Sequence, residues 1–250
     1  MQRFDNIIIG GGHNGLICAT YLANAGQTVL LVEGGELGGL ASTREFHPGF
    51  KVSVAHSLSH FSEDVSKQLS LAQHGFKPSD VSLTTVGLSL DGKHVVVTDN
   101  GVEGVGESDQ DSYTEYLKML NRFAKVLKPF WLKTMPRIGD NSLPNMMTFG
   151  QLGLKLRLLG KKDMGEFMRV ATLPARDLMD ENFDNELLKA VLSWDGLIGS
   201  KMAPRSPNAT VLNMLYRMSG RKDGAHTLPQ GGICNLIDAL HKSALAAGVE

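Results

Sequence analysis

Asn6-Ile7-Ile8-Ile9-Gly10-Gly11-Gly12-His13-Asn14-Gly15 sets the fold of the N-terminal region. Its three consecutive isoleucines are β-branched and apolar, the composition of a short strand buried on both faces. The strand runs straight into GxGxxG at Gly10, Gly12 and Gly15. A helix is predicted through Leu16, Ile17, Ala19, Leu22 and Ala23, with Gly26 where a helix commonly closes. Thr28-Val29-Leu30-Leu31-Val32 then reads as a second buried strand, ending at Glu33.

Each position in this spacing has a physical reason. Gly10 permits the tight turn, Gly12 lets the backbone approach a pyrophosphate, and Gly15 lets helix and strand pack closely. The helix N-terminus offers free N–H groups and about half a positive charge to phosphates. Glu33, 23 residues after Gly10, is placed to accept hydrogen bonds from the adenosine ribose hydroxyls. Its charge would repel a 2′-phosphate, which disfavours NADP. Strand, turn, helix, strand and terminal acid fall in order, so the motif does not rest on glycines alone.

The βαβ unit by itself does not choose between FAD and NAD, which share the ADP half. Two features favour FAD: the motif sits at the extreme N-terminus, and a second glycine pair, Gly38-Gly39, follows with Leu40-Ala41-Ser42. Such a loop lets the chain pass close to pyrophosphate and flavin. An ordinary flexible βα loop is the other reading.

The flanking composition fits a globular protein. Apolar residues make up 42% and charged residues 20% of the 250, an ordinary balance. A chain of this length buries roughly 70–75% of its unfolded surface without a disulfide or metal staple. Lys and Arg number 25 against 26 Asp and Glu, so no nucleic-acid footprint is expected. The two cysteines, Cys18 and Cys234, form neither a zinc motif nor a redox dithiol. Cys18, in the predicted helix, reads as a buried inert thiol. His56 and His60 stand four apart, but no third ligand is nearby and no metal is expected. The chain enters a strand at once with no charged-then-apolar leader, and no run of about 18 apolar residues follows. The expectation is a cytoplasmic protein without a membrane span.

GGGHNGLICATYLANAG, LLVE, the second glycine pair and EFHPGF resemble the phytoene desaturase-like FAD-dependent oxidoreductases. The branch of pyridine nucleotide-disulphide oxidoreductase domain-containing proteins is the most similar. Trp194-Asp195-Gly196-Leu197-Ile198-Gly199, Ala203-Pro204-Arg205-Ser206-Pro207 and Leu228-Pro229-Gln230-Gly231-Gly232 extend the resemblance along the chain. It implies FAD, hydride transfer to or from a small apolar substrate, and a cofactor site at Gly10, Gly12, His13, Asn14, Gly15, Glu33, Gly38, Gly39, Leu40 and Ala41. It also implies that His47-Pro48-Gly49-Phe50 turns near the flavin; a purely structural turn is the alternative. Members of that family continue beyond the equivalent of Glu250 with an adenine-side strand and a flavin-covering segment, so an N-terminal fragment is expected. No cysteine pair matches the disulphide of the branch name, and no catalytic acid or base stands out.

The expected fold is α/β: a Rossmann-like FAD-binding domain with an inserted α+β substrate or cap domain, the C-terminal part missing. We divide it into a βαβ unit at 1–60, a substrate or cap region at 61–224, and a returning helix at 225–250. Val86 to Leu90 and His94 to Thr98 flank Asp91-Gly92-Lys93 as a hairpin. Ser108 to Asp111 resembles a capping box. It precedes an apolar stripe through Tyr116, Met119, Leu120, Phe123, Val126, Leu127 and Phe130, stopped near Pro129. Ten of the eleven methionines fall between Met119 and Met218, which suits either a plain helical core or a pliable tunnel for a long substrate. Leu152 to Lys162 mixes five leucines with Lys155, Arg157, Lys161 and Lys162. A solvated helix face is the simpler reading, and peripheral membrane contact the other.

The readings that stand are an FAD oxidoreductase, an NAD-dependent dehydrogenase using the same βαβ unit, and a non-catalytic truncated piece.

Overall fold

In the computed structural model, which describes residues 2–55, 57–58, 61–140, 142–207 and 210–250, the opening stretch folds as a parallel βαβ unit. The described elements are β1 (Asn6–Ile9), α1 (His13–Asn24), β2 (Val29–Val32), β3 (Thr43–His47), β4 (Phe50–Ser53) and α2 (Glu63–Gln68). They continue with β5 (Thr85–Gly87), β6 (Val95–Thr98), β7 (Gly101–Glu103), α3 (Glu107–Leu127), α4 (Leu143–Leu158) and α5 (Lys161–Val170). Last come α6 (Ala175–Asn182), α7 (Glu186–Ser193), α8 (Thr210–Met218) and α9 (Cys234–Ala246). His56 and His60 lie outside the described residues.

The chain forms two compact units, Met1–Leu83 with His226–Glu250, and Thr84–Ala225. The first therefore reaches past the 60/61 boundary read from the sequence. The reason is packing: Leu69, Leu71 and Phe76, buried to 5% exposure or less, belong to the same core as Leu16, Val29 and Leu236.

In the first unit β1 pairs with β2 in parallel, Asn6 opposite Val29 through Ile9 opposite Val32. Helix α1 closes on Gly26 (φ +83°), whose N–H donates to Ala23 O at 2.9 Å while Gln27 N donates to Leu22 O at 3.2 Å. That paired closure is what a C-terminal glycine permits. Helix α9 packs on α1, and its Leu236, Ile237 and Leu240, with Ile233 just before the helix, are buried in the shared core.

Burial of β1 on both faces does not hold. Ile7 and Ile9 are 61% and 88% exposed and Val32 is 46% exposed, while Ile8 and Leu31 pack into the core. Side chains alternate across a strand, and α1 covers one face only. Cys18 is exposed, not buried; the inward face of α1 is Leu16, Ala19 and Thr20. The hairpin β3–β4 turns at Pro48-Gly49, with Gly49 at φ +82°.

In the second unit β5, β6 and β7 form an antiparallel sheet. The hairpin read from the sequence is its first pair, and β7 adds a strand that was not expected. The core comprises Tyr116, Leu120, Phe123, Leu178, Met179, Leu188, Met214 and Leu215 among others. It confirms the apolar stripe, and α3 ends at Leu127, immediately before a turn containing Pro129. Of the methionines, Met179, Met214 and Met218 are core, while Met135, Met146, Met147 and Met168 are exposed.

The Ser108–Asp111 capping box does not form. Gly106 occupies the N-cap without a side-chain bond. Asp109, 4% exposed, instead accepts from Asp184 N at 2.7 Å and Asn185 N at 3.0 Å. The family-like Trp194-Asp195-Gly196 stretch is tied into the same unit. Asp195 pairs with Arg217, and Gly196 O accepts from Asn213 Nδ2 at 3.2 Å.

Candidate dinucleotide-binding site

Gly10 turns the chain off β1 at φ +107° and donates its N–H to Val32 O at 2.8 Å. Two residues on, Gly12 is the N-cap of α1. No side chain caps this helix and no acid occupies its first turn. Its orphan N–H groups and positive dipole end are thus left for an anion. A Cβ added at Gly12 would meet nothing nearer than Gly38 O at 4.0 Å, so the approach to the helix end is open. At Gly15 a Cβ would fall 2.0 Å from Gly10 O, which shows the close packing that the third motif glycine permits. His13 and Asn14 open the helix, Asn14 being exposed.

Glu33 leaves the end of β2 and turns back to the glycine turn. Its Oε2 accepts from Gly11 N at 2.6 Å and its Oε1 from Gly35 N at 2.9 Å. These bonds, Gly11 first, hold the carboxyl below its ordinary 4.5. A lowered value means that the charge is present above the ordinary value and is lost only as pH falls through the lowered one. Glu33→Ala is therefore expected to weaken dinucleotide binding about tenfold or more from about pH 5 to 8. The gap to the unaltered protein should close only below pH 4.5. Fluorescence titration across pH checks this; a gap that closes near neutrality would contradict it.

The second glycine pair lies directly against the first turn. Gly38 N donates to Gly11 O at 2.9 Å, and Gly12 pairs with Gly38 as a parallel bridge. Gly38 and Gly39 take φ of +113° and +56°. A Cβ at Gly38 would come within 3.0 Å of Ser42 N and Cα, so glycine is needed there for conformation and space together. Leu40 is 74% exposed, whereas Ala41 is buried in the core, which leaves Ala41 only its backbone to offer a ligand.

Alongside is a cavity of about 680 Å³ lined by Glu33, Gly35, Gly39, Thr43, Arg44 and Lys51, with Glu36 and Glu45. The structure thus gathers the glycine turn, Glu33 and the second glycine pair in one place. Sequence reasoning missed Gly11, the variable position between two motif glycines. Its N–H engages Glu33, and a Cβ there would sit 2.3 Å from Leu37 Cδ2. Arg44 and Lys51 were missed too, because β3 and β4 carry them to the cavity and no local signal marks them.

Residues 8–70 match the family model of the NAD(P)-binding Rossmann-like domain. Over 98% of its length the chain is 30% identical to pyridine nucleotide-disulfide oxidoreductase domain-containing protein 2 of Rattus norvegicus, covering 46% of that protein. It is 26% identical over 98% of its length to the carotenoid 3,4-desaturase of Haloarcula japonica, covering 48% of it. The chain spans about half the length of the curated relatives it matches. A putrescine oxidase structure, wild type bound to putrescine, superposes with a TM-score of 0.58. It does so at 15% identity, over 99% of this chain and 50% of that one, which shows the fold. These matches bear out the family resemblance, and the α/β Rossmann-like architecture stands.

Proposed function

We propose, with that likeness as premise, that the chain holds FAD in an oxidoreductase moving hydride between the flavin and an apolar substrate. The observation that carries the reading is the uncapped start of α1 beside a carboxylate tied to the same glycine turn. Gly10, Gly12, His13, Asn14 and Gly15 would hold the pyrophosphate through backbone N–H groups, and Glu33 the adenosine ribose. Gly38, Gly39, Leu40 and the Ala41 backbone would continue towards the flavin. The second glycine pair favours FAD over NAD, because its contact with Gly11 and Gly12 extends the backbone surface beyond one phosphate turn. When bound, FAD supplies the hydride chemistry, and the protein supplies binding and orientation. An apolar substrate is supported by the carotenoid named in one relative.

An anion at a helix N-terminus gains about 0.3–2 kcal/mol, against about 8 kcal/mol for micromolar affinity. The helix end alone therefore falls well short, and further contacts must contribute most of the binding. The test is the visible spectrum of the purified chain after incubation with FAD and removal of free flavin, beside melting curves with FAD and NAD. A co-eluting flavin band with a raised Tm is expected. A Tm raised by NAD alone would favour a nicotinamide dehydrogenase, and no response to either would overturn binding by these residues.

A further inference from the structure

Charge is distributed unevenly along the chain. Residues 128–162 hold seven Lys and Arg (Lys128, Lys133, Arg137, Lys155, Arg157, Lys161 and Lys162) against a single acid, Asp140. The rest of the chain has eighteen basic residues against twenty-five acidic ones. A net charge of −1 therefore conceals a strongly cationic segment in an otherwise anionic protein.

The same segment exposes apolar side chains. No residue of α4 is buried. Its inward face is Leu152 and Leu156, continued by Leu159, of which Leu156 and Leu159 pack on the core of the second unit. The opposite face carries Leu143, Met147, Leu154 and Leu158, 54–76% exposed. At 3.6 residues per turn these four fall within about 60° of one another. Leu132, Met135 and Ile138, just before α4, are 59%, 83% and 96% exposed. Lys133 Nζ donates to Gln151 Oε1, which ties that stretch to α4.

Among the described residues, Lys155, Arg157, Lys161 and Lys162 have no salt bridge. Lys161 and Lys162 open α5, where the positive end of the helix dipole disfavours them. At that position the two lysines add to the positive end of the helix dipole, and together they attract anions.

We propose that this face, α4 with residues 132–138 and the two lysines opening α5, docks on an anionic lipid surface. A leucine and methionine stripe rimmed by Lys and Arg is the pattern that sinks into the headgroup boundary, with the cations on anionic headgroups. A second copy of the chain would bring two cationic faces together, which repel. No described helix is long and apolar enough to cross a membrane, so the contact is with one leaflet's surface. This inference is independent of the cofactor assignment.

The test is co-sedimentation of the 250-residue chain with vesicles of phosphatidylcholine plus phosphatidylglycerol, and with phosphatidylcholine alone. Binding to the anionic vesicles should exceed the neutral control about tenfold and fall as added salt screens the headgroups. Lys161→Glu with Lys162→Glu, and separately Leu154→Ser with Leu158→Ser, should each reduce it about tenfold. All four side chains are exposed, so circular dichroism should be unchanged, and Tm should hold or rise for the glutamate pair, whose charge suits the start of α5, which separates lost docking from lost folding. No sedimentation with either vesicle would overturn the proposal. So would variants that bind as the parent does, or a dimer dissociated by Leu154→Ser with Leu158→Ser without any vesicle binding.

Discussion

Gly15→Ala is expected to destabilise the first unit by about 3 kcal/mol and to weaken any dinucleotide binding about a hundredfold. The added Cβ would lie 2.0 Å from Gly10 O, 3.2 Å from Gly10 C and 3.5 Å from Ile8 Cγ2. Two of these atoms are backbone, so no side-chain rotation relieves the collision, and either the turn opens or α1 moves off β1. Either movement takes the uncapped helix end away from Gly11 and Glu33. Overpacking of this kind costs about 1–3 kcal/mol or more, roughly 2–4 °C of Tm per kcal/mol for a chain this long. Gly34→Ala is the control, because a Cβ there meets nothing within 4 Å. Melting curves and FAD titration of both variants decide the matter: equal behaviour of the two would sink the packing argument.

Asp109→Ala should destabilise the second unit by about 2–4 kcal/mol. The carboxylate is 4% exposed and accepts from two consecutive backbone N–H groups, Asp184 and Asn185. Asn185 in turn caps α7, accepting from Leu188 N at 2.9 Å. Removing the carboxylate leaves two donors unpaired at the start of a helix whose Leu188 and Leu192 are core. Both tryptophans, Trp131 and Trp194, lie in this unit. Urea unfolding followed by tryptophan fluorescence should therefore shift for Asp109→Ala and hardly at all for Gly15→Ala. A shift of the same size for both would mean that the two units unfold as one.

What could be read in advance was local. β1, α1 and β2 follow from strand composition, the motif glycines and Gly26, each of which acts within a few residues of itself. The apolar stripe from Tyr116 to Leu127 was legible for the same reason. Exposure was not: Ile7 and Ile9 have the composition of a doubly covered strand, and whether both faces are covered depends on the other elements of the fold. Asp109 had a cap residue's chemistry, but its partners lie 75 residues away, beyond any capping rule. At the site, the glycines and Glu33 announced themselves by spacing. Gly11 was hidden as a variable position, and Arg44 and Lys51 reach the cavity only because a hairpin folds there. The reach of the first compact unit to Leu83 was not legible, because Leu69, Leu71 and Phe76 follow no helical or strand period.

The chain leaves the first unit after Leu83 and returns to it at His226. Leu83 N donates to His226 O at 2.7 Å, and Leu58 and Thr227 exchange backbone hydrogen bonds at 2.8 and 3.0 Å. The outgoing and incoming segments are thus hydrogen-bonded to each other at Leu83 and His226, within the first unit. On this arrangement, replacing the residues between those points is expected to leave the first unit's own backbone pairing intact. A short Gly-Ser bridge from Leu83 to His226 is expected to leave the first unit folded, which circular dichroism and a cooperative melting curve of the bridged protein would check.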